Sequence, residues 1–204
     1  MKKMKILTLL VITILITVIL SCSTTGNDNG NDEENILPYK VGNQWQFIRC
    51  EKNETKTDTI ILIQYISEKD TINYNNEELE VYKWIWYFPI DGMEMTMNVY
   101  PTNDGIMGYW DGTSVHNVLF KYPISVGDEW YFNWDGENTI KCHSTNTAIQ
   151  TPAGEFACIV YGFYTSIENN LFMEMYVCKG VGIVYIHNYE SSPEIYLKSY
   201  TIVD

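Results

Sequence analysis

Three histidines, His116, His143 and His187, and a scatter of carboxylates are the groups in this chain best equipped for acid–base or metal chemistry. The histidines stand 27 and 44 positions apart, and no His-Glu-x-x-His occurs, so no pair has metal-ligand spacing. His187 lies in "GIVYIHNY", on a strand face shared with Ile183, Tyr185 and Tyr189, where a single histidine reads as a packed or edge residue. The carboxylates include Glu78, Glu80, Asp128, Glu129, Asp135 and Glu137. Glycoside hydrolysis needs two of them facing across a sugar, about 5 to 10 Å apart. Glu78 and Glu80 could share a strand face at such a separation, but so does any i, i+2 acidic pair, and a solvated acidic face accounts for them. No Gly-x-Ser-x-Gly elbow and no phosphate-cradling loop is present. The sequence therefore assigns no catalytic residue and no metal-ligating set, and a glycan-degrading enzyme is its weakest functional reading.

The thiols offer a different chemistry. Cys50, Cys142, Cys158 and Cys178 follow Cys22, and no Cys-x-x-Cys occurs, so neither a zinc knuckle nor a dithiol redox motif is supported. An exported compartment permits disulfides, and four cysteines allow three complete pairings. Cys158 and Cys178 lie symmetrically about residue 168, close to a turn at Ile167-Glu168-Asn169-Asn170. A Cys158–Cys178 bridge is one expectation, and two free thiols in a core are as ordinary an outcome.

Cys22 stands apart from these. Lys2, Lys3 and Lys5 precede an uncharged run from Ile6 to Leu20, 15 residues long, which is short for a bilayer-spanning helix of about 20 residues. A basic start and an apolar stretch of this length form a secretory signal. Ile19 at −3 breaks the small-residue rule for ordinary cleavage, whereas Ile19-Leu20-Ser21-Cys22 resembles the bacterial lipobox. That resemblance implies cleavage after residue 21, with diacylglycerol and further acyl chains on Cys22 as the only covalent cofactor. Two or three chains anchor a protein stably where one does not. The next residues, "STTGNDNGNDEEN", carry nothing apolar before Ile36 and read as a disordered acidic tether over 22–36. Their Asn/Asp/Gly alternation lacks the closing Glu of a calcium loop, because the twelfth position from Asp28 is Tyr39.

Net charge is −13, and loss of the three lysines in residues 1–21 takes it to about −16. Phosphate neutralisation needs the opposite sign, so nucleic acid is not an expected partner. The acyl chains rather than surface charge would hold the chain to a membrane.

The elements that must position any site are strands. Short runs rich in Tyr, Ile, Val, Trp and Thr are broken by Gly, Asn, Asp and Pro, with almost no helical periodicity. "TDTIILIQYI" reads as a strand buried on both faces, and Asn75-Asn76 as a hairpin tip before "YKWIWYF". In that strand Tyr82, Trp84, Trp86 and Phe88 share one face, which is either core or an exposed platform for a sugar or an apolar ligand. "MEMTMNVY" alternates, placing Met93, Met95 and Met97 on one face. With Met173 and Met175 of a later "MEM", these could line a soft apolar concavity between two halves.

Two halves are expected because "PYKVGNQWQF" at Pro38 returns as "PISVGDEWYF" at Pro123, an offset of 85 residues. Tyr82 then corresponds to Tyr161, Met93 to Met173 and Gly105 to Gly182, in the same order. Trp45 and Trp130 read as core anchors that follow tight turns at Gly42 and Gly127. These stretches, with "TPAGEFACIVYGFY" and "YVCKGVGIVYI", resemble a group of uncharacterised bacterial lipoproteins. That group pairs a Pro-x-x-Val-Gly-x-x-Trp element with a Pro-Ala-Gly-x-Phe turn, here Pro152, Ala153, Gly154 and Phe156, and a Gly-Val-Gly closing strand, here Gly180, Val181 and Gly182. The resemblance implies fold and location only, since the group carries no catalytic residues to transfer.

The sequence thus predicts one all-β domain over 37–204. It is an antiparallel meander of about ten strands in two related halves, near 37–112 and 122–204, closed or nearly closed into a barrel or sandwich. The leading function is a non-catalytic binding or envelope-interaction module, lipid-anchored in the bacterial cell envelope at the outer membrane or cell surface. Its partner would be a glycan, an apolar ligand or another envelope protein, and an apolar carrier is the alternative.

Overall fold

The computed structural model describes residues 35–50, 59–74, 76–110, 116–133, 137–165, 168–189 and 194–203. The expected signal segment, Cys22 and the tether up to residue 34 lie outside the described residues, as does Asp135.

Twelve strands follow in chain order: β1 (Gln44–Cys50), β2 (Ile60–Tyr74), β3 (Glu77–Phe88), β4 (Met93–Thr102), β5 (Gly105–Trp110), β6 (Asn117–Lys121), β7 (Glu129–Asn133), β8 (Glu137–Thr151), β9 (Gly154–Tyr164), β10 (Leu171–Cys178), β11 (Gly182–Asn188) and β12 (Glu194–Thr201). Turn chemistry sets the hairpins. Tyr74 pairs with Glu77 where β2 turns into β3, and Asn76 there takes the left-handed φ of 67° that a tight hairpin needs. Gly105 opens β5 at φ 128°, where a Cβ would sit 2.0 Å from the Phe120 carbonyl oxygen, so no other residue fits.

All strands belong to one antiparallel sheet, ordered β6-β5-β4-β3-β2-β1-β12-β11-β10-β9-β8-β7. The first and last strands pair along Gln44–Cys50 and Glu194–Thr201, which joins a meander of β1–β6 to a meander of β7–β12. The sheet curls until its edges, β6 and β7, approach, and the result is a nearly closed barrel. No ladder joins those edges among the described residues; side chains do. Trp130 Nε1 donates to the Val118 carbonyl at 2.8 Å, and the Tyr161 hydroxyl donates to the Lys121 carbonyl at 2.9 Å.

The strand count exceeds the expected ten because each half has a sixth strand. β6 lies beyond residue 112, so the first meander ends at Lys121. The starts of β2, β3, β5 and β6 precede those of β8, β9, β11 and β12 by 77 residues each, against 85 for β1 and β7. The two meanders follow one plan, and the eight-residue difference falls between their first and second strands.

The barrel interior is packed with Phe47, Leu62, Ile66, Trp84, Val99, Ile140, Tyr161, Val177 and Leu197. Each such side chain contributes about 1.5–3 kcal/mol by leaving water. Ile36, read from sequence as the last tether residue, is 0% exposed and belongs to this core with Leu37. Trp45 Nε1 donates to the Val181 carbonyl at 2.5 Å, so the first tryptophan is a structural anchor.

Candidate functional site

The aromatic face of β3 points inward. Trp84 is 1% exposed, and Tyr82, Trp86 and Phe88 are half-buried against the core. An exposed four-ring platform is therefore not present; the curled sheet needs those rings inside. Of the five methionines named as a possible lining, Met97 and Met175 are buried in the core, Met173 packs against it, Met95 is half-buried, and Met93 is 48% exposed at the start of β4. Met97 and Met175 border a small cavity of about 20 Å³ with Trp84, Trp86, Phe132 and Phe163. A concavity between the halves exists, but side chains fill almost all of it.

The Cys158–Cys178 bridge is not formed, although the expected register is present. Ile159 pairs with Val177 and Val160 with Tyr176, which sets Cys158 opposite Cys178 one step further along. Each thiol instead turns to a carbonyl of its own strand region, Cys158 to Phe156 at 3.8 Å and Cys178 to Lys179 at 3.6 Å. Burial pushes the Cys158 thiol up to about 12 and raises Cys178 as well. Cys142 is also a free thiol, donating to the Ser144 carbonyl at 3.6 Å, and Cys50 is described only as the end of β1.

The strongest polar constellation lies on the outward face of β8–β12, where the sequence offered only scattered residues. Glu174 pairs across β10 and β11 with His187, and His187 across β11 and β12 with Glu194. Three titratable side chains therefore stand in one cross-strand row. A fourth joins through a bulge. Cys142 pairs with Tyr161 and Ser144 with Val160, which leaves His143 as the extra residue, aimed away from the ladder. Its ring lies over Gly162, where a Cβ would come within 2.3 Å of His143 Cε1. Only a strand position without a side chain lets the imidazole cross β9 to reach β10.

There His143 Nδ1 meets Glu174 Oε1 at 2.6 Å, while its Nε2 is 2.8 Å from the Tyr164 hydroxyl. Glu174 is 9% exposed, and its second oxygen accepts from Tyr189 at 3.0 Å and Tyr176 at 3.4 Å. Beside it the Tyr185 hydroxyl is 3.2 Å from His187 Nδ1, and Tyr196 donates to Glu194 at 2.6 Å. Tyr176, Tyr185 and Tyr196 form a continuous row of rings, with centroids 4.9 and 4.6 Å apart. Burial, reinforced by Glu174, pushes Tyr176 and Tyr189 up to about 12, so both phenols donate at neutral pH. Tyr189 stays 49% exposed, and Lys141 Nζ lies 5.0 Å from the Tyr164 ring centroid. The expected face for His187 is corrected at one residue: a bulge between Tyr176 and Val177 of the β10–β11 pairing turns Ile183 into the core, away from Tyr185 and His187.

His116 sits elsewhere, stacked between Tyr74 at 3.9 Å and Tyr109 at 4.5 Å, with Nδ1 2.8 Å from the Tyr100 hydroxyl. Burial holds its pKa below the ordinary value of 6.5. The carboxylates singled out from sequence serve structure. Glu80 pairs with Lys69 and accepts from Tyr82, Glu129 pairs with Lys141 at 3.3 Å, and Asp128 accepts from the Ser125 backbone at 2.9 Å. Glu78 pairs in register with Asn73 on the exposed β2–β3 hairpin, and the Glu137 side chain lies outside the described residues. Among the described residues no group of three or more His, Cys, Asp or Glu side chains could hold a metal ion. An open cleft of about 600 Å³ flanks Asn35 and Tyr39 at one end of the barrel, with Lys179 over the Tyr122 ring at 5.5 Å.

No protein family and no curated protein matches the chain. Two solved structures are similar to the chain. One is a candidate lipoprotein from Parabacteroides distasonis, 13% identical, with a TM-score of 0.45 over 84% of this chain and all of that one. The other is a candidate exported protein with a YmcC-like fold from Bacteroides fragilis, 16% identical, with a TM-score of 0.40 over 81% of this chain and 98% of that one.

Two outcomes follow from the geometry. Gly162→Ala should displace His143 from Glu174 and cost about 1–3 kcal/mol in urea unfolding, whereas in a His143→Ala background the same change should cost under about 0.5 kcal/mol. Equal costs in both backgrounds would show that the ring does not depend on Gly162. The second concerns pH. Because the folded state lowers the His116 pKa, the unfolded chain binds the proton more readily, so this group's stabilisation is present above pH 6.5 and lost as pH falls through the lower folded value. His116→Phe should therefore lose less stability than the parent between pH 7 and about 5, read as thermal midpoints.

Proposed function

We propose that this chain is a lipid-anchored protein of the bacterial cell envelope, and that its barrel is a non-catalytic module that binds glycan on the outward face of β8–β12. The observation that carries the binding reading is Glu174, a nearly buried carboxylate on the solvent side of the sheet, held by a bulged histidine over a glycine. Stability alone does not call for such an arrangement, because an apolar side chain there would avoid the cost of desolvating a charge. Features that break local economy in this way concentrate at functional sites.

The chemistry suits a sugar. Phenol rings offer flat apolar faces for the C–H side of a pyranose, and carboxylates accept from its hydroxyls. Tyr189 presents the most open ring of the group, and Tyr164, Tyr176 and Tyr196 are half-buried around it. Both carboxylates are already oriented, so little ordering accompanies binding. The net charge of −13 disfavours phosphorylated or other polyanionic ligands. The non-catalytic reading is supported by the engagement of Glu174, whose two oxygens already meet His143, Tyr176 and Tyr189, which holds it to accept one further hydroxyl and leaves it poorly placed to transfer a proton.

The lipid anchor rests on the lipobox-like Ile19-Leu20-Ser21-Cys22 and the apolar run before it. Cys22→Ala should move the protein from the membrane fraction to the soluble fraction, and persistence in the membrane would overturn this half of the reading. For the ligand, affinity electrophoresis through a panel of envelope and host polysaccharides should retard the parent protein in at least one. Tyr189→Ala and Glu174→Gln should weaken that binding at least tenfold, equivalent to about 1.4 kcal/mol each. Tyr131→Ala, on the exposed side of β7, should bind as the parent does. Free migration through every polysaccharide would rule out the glycan.

A further inference from the structure

The barrel interior holds an anomaly that the outward face does not explain. Trp84 Nε1, Trp86 Nε1 and Gln64 Nε2 are buried N–H donors with no acceptor among the described residues. They are neighbours. Gln64 pairs directly with Trp86 across β2 and β3, and the Trp84 and Trp86 rings lie 5.2 Å apart. Buried donors almost always find a partner, because an unmade hydrogen bond in a core forfeits what water would have supplied. Three together on one interior patch, in a core otherwise well satisfied, call for an acceptor.

The place where an acceptor could sit is also present. Both indoles border the cavity of about 20 Å³, whose other walls are Met97, Leu119, Phe120, Phe132, Phe163 and Met175. That volume admits one oxygen-sized group, and the side chains around it carry no N–H or O–H donor apart from the two indoles, whose nitrogens are covered in the resting barrel. The cavity underlies the seam of the barrel, since Leu119 and Phe120 belong to β6 and Phe132 to β7. The described residues close this seam with side-chain hydrogen bonds from Trp130 and Tyr161 instead of a ladder. It is the boundary between strands at which the barrel opens with the least loss of backbone pairing.

We propose that the interior beneath the β6–β7 seam is a binding site for a neutral acyl ester. Its carbonyl oxygen accepts from Trp84 and Trp86, and its alkyl chain lies among Met97, Leu119 and Met175. An ester fits better than a free fatty acid. The site supplies only neutral donors, and a carboxylate buried there would have no cation beside it. The ester is admitted by rotation of the unbranched methionines and Leu119 and by parting of the seam, which also uncovers the indole nitrogens, since the resting cavity is too small for an acyl chain. This site is separate from the tyrosine face of β8–β12 and does not depend on the glycan reading.

The test uses the full-length protein with parinaric acid methyl ester, a fluorescent acyl ester. Diphenylhexatriene, an apolar dye without an acceptor, serves as the comparison. Binding of the ester should quench tryptophan emission by energy transfer, with at least tenfold preference over diphenylhexatriene. Trp86→Phe keeps an aromatic side chain and removes one N–H, and it should erase most of that preference for the ester over the dye. Gly108→Ala is the filling variant. A Cβ there would come within 2.5 Å of Leu119 Cδ1 and 2.9 Å of Met97 Sδ, and should push both into the cavity. It should weaken ester binding at least tenfold. No ester binding by the parent protein overturns the proposal, whatever the variants do. So does a crystal structure grown with the ester in which only a water molecule bridges the two indoles. Equal affinity for ester and diphenylhexatriene would equally overturn the assignment of the indoles as its recognition groups.

Discussion

A sheet of twelve strands has two edges, and what becomes of those edges decides the rest of this molecule. Unpaired edge strands invite pairing with other chains, and closure is the surest way to remove them. Here the first and last strands pair in full, which places the other two edges, β6 and β7, at the middle of the chain. Both are only five residues long. Two carbonyls of β6, those of Val118 and Lys121, are taken by Trp130 and Tyr161, of which Tyr161 lies in the core and Trp130 packs against it. The second Val-Gly-x-x-Trp element therefore does more than anchor a core. Its indole stands in for a backbone ladder at the seam, whereas Trp45, on a strand paired on both sides, meets the carbonyl of Val181 in the β10–β11 turn.

Closure also divides the molecule's chemistry into two compartments. Inward positions must be apolar, and their few polar groups cannot reach water. Outward positions are free to be polar, and one stretch of them is unusually organised. The organisation depends on small departures from regular strand geometry: the extra residue in β8 that frees His143, the missing side chain at Gly162, and the direct cross-strand opposition of Glu174, His187 and Glu194. Remove the bulge and His143 returns to the alternation of its strand. Restore a side chain at Gly162 and the imidazole has no path to β10. The two features are useful only together.

Alternating hydrophobicity, the turn signal at Asn76 and the repeated decamer carried the fold to the reader of the sequence, because each is local and each has a physical cause within a few residues. The inward turn of Tyr82, Trp84, Trp86 and Phe88 was legible only as one of two options. A strand shows which residues share a face, and closure determines which face is buried. The outward site was not legible. His143, Glu174 and His187 are separated by tens of residues, and their meeting depends on the register of β8 through β11. That register includes a one-residue bulge that no motif announces. The one available signal was Gly162, a glycine inside an aromatic strand, which marks close approach by another group. Cys158 and Cys178 show the opposite case. The symmetry argument gave their register correctly, but register fixes Cα positions and leaves the direction of each thiol to side-chain torsions.

The two compartments put opposite demands on the same scaffold. The tyrosine face needs rigidity, since its carboxylates are useful to a ligand only while His143 and the phenols hold them in place. The interior donors need a barrel that can yield, since a closed core leaves Gln64, Trp84 and Trp86 without acceptors. The topology reconciles these demands by distance along the sheet. Glu174, His187 and Glu194 lie on β10, β11 and β12, toward the full-length β1–β12 pairing, where each strand is hydrogen-bonded to a neighbour on both sides. The cavity lies under β6 and β7, the shortest strands and the only neighbours in the described barrel without a ladder. Local opening follows the weakest hydrogen-bonded boundary. A seam held by two side-chain bonds can therefore part while the face beside β1 and β12 keeps its register.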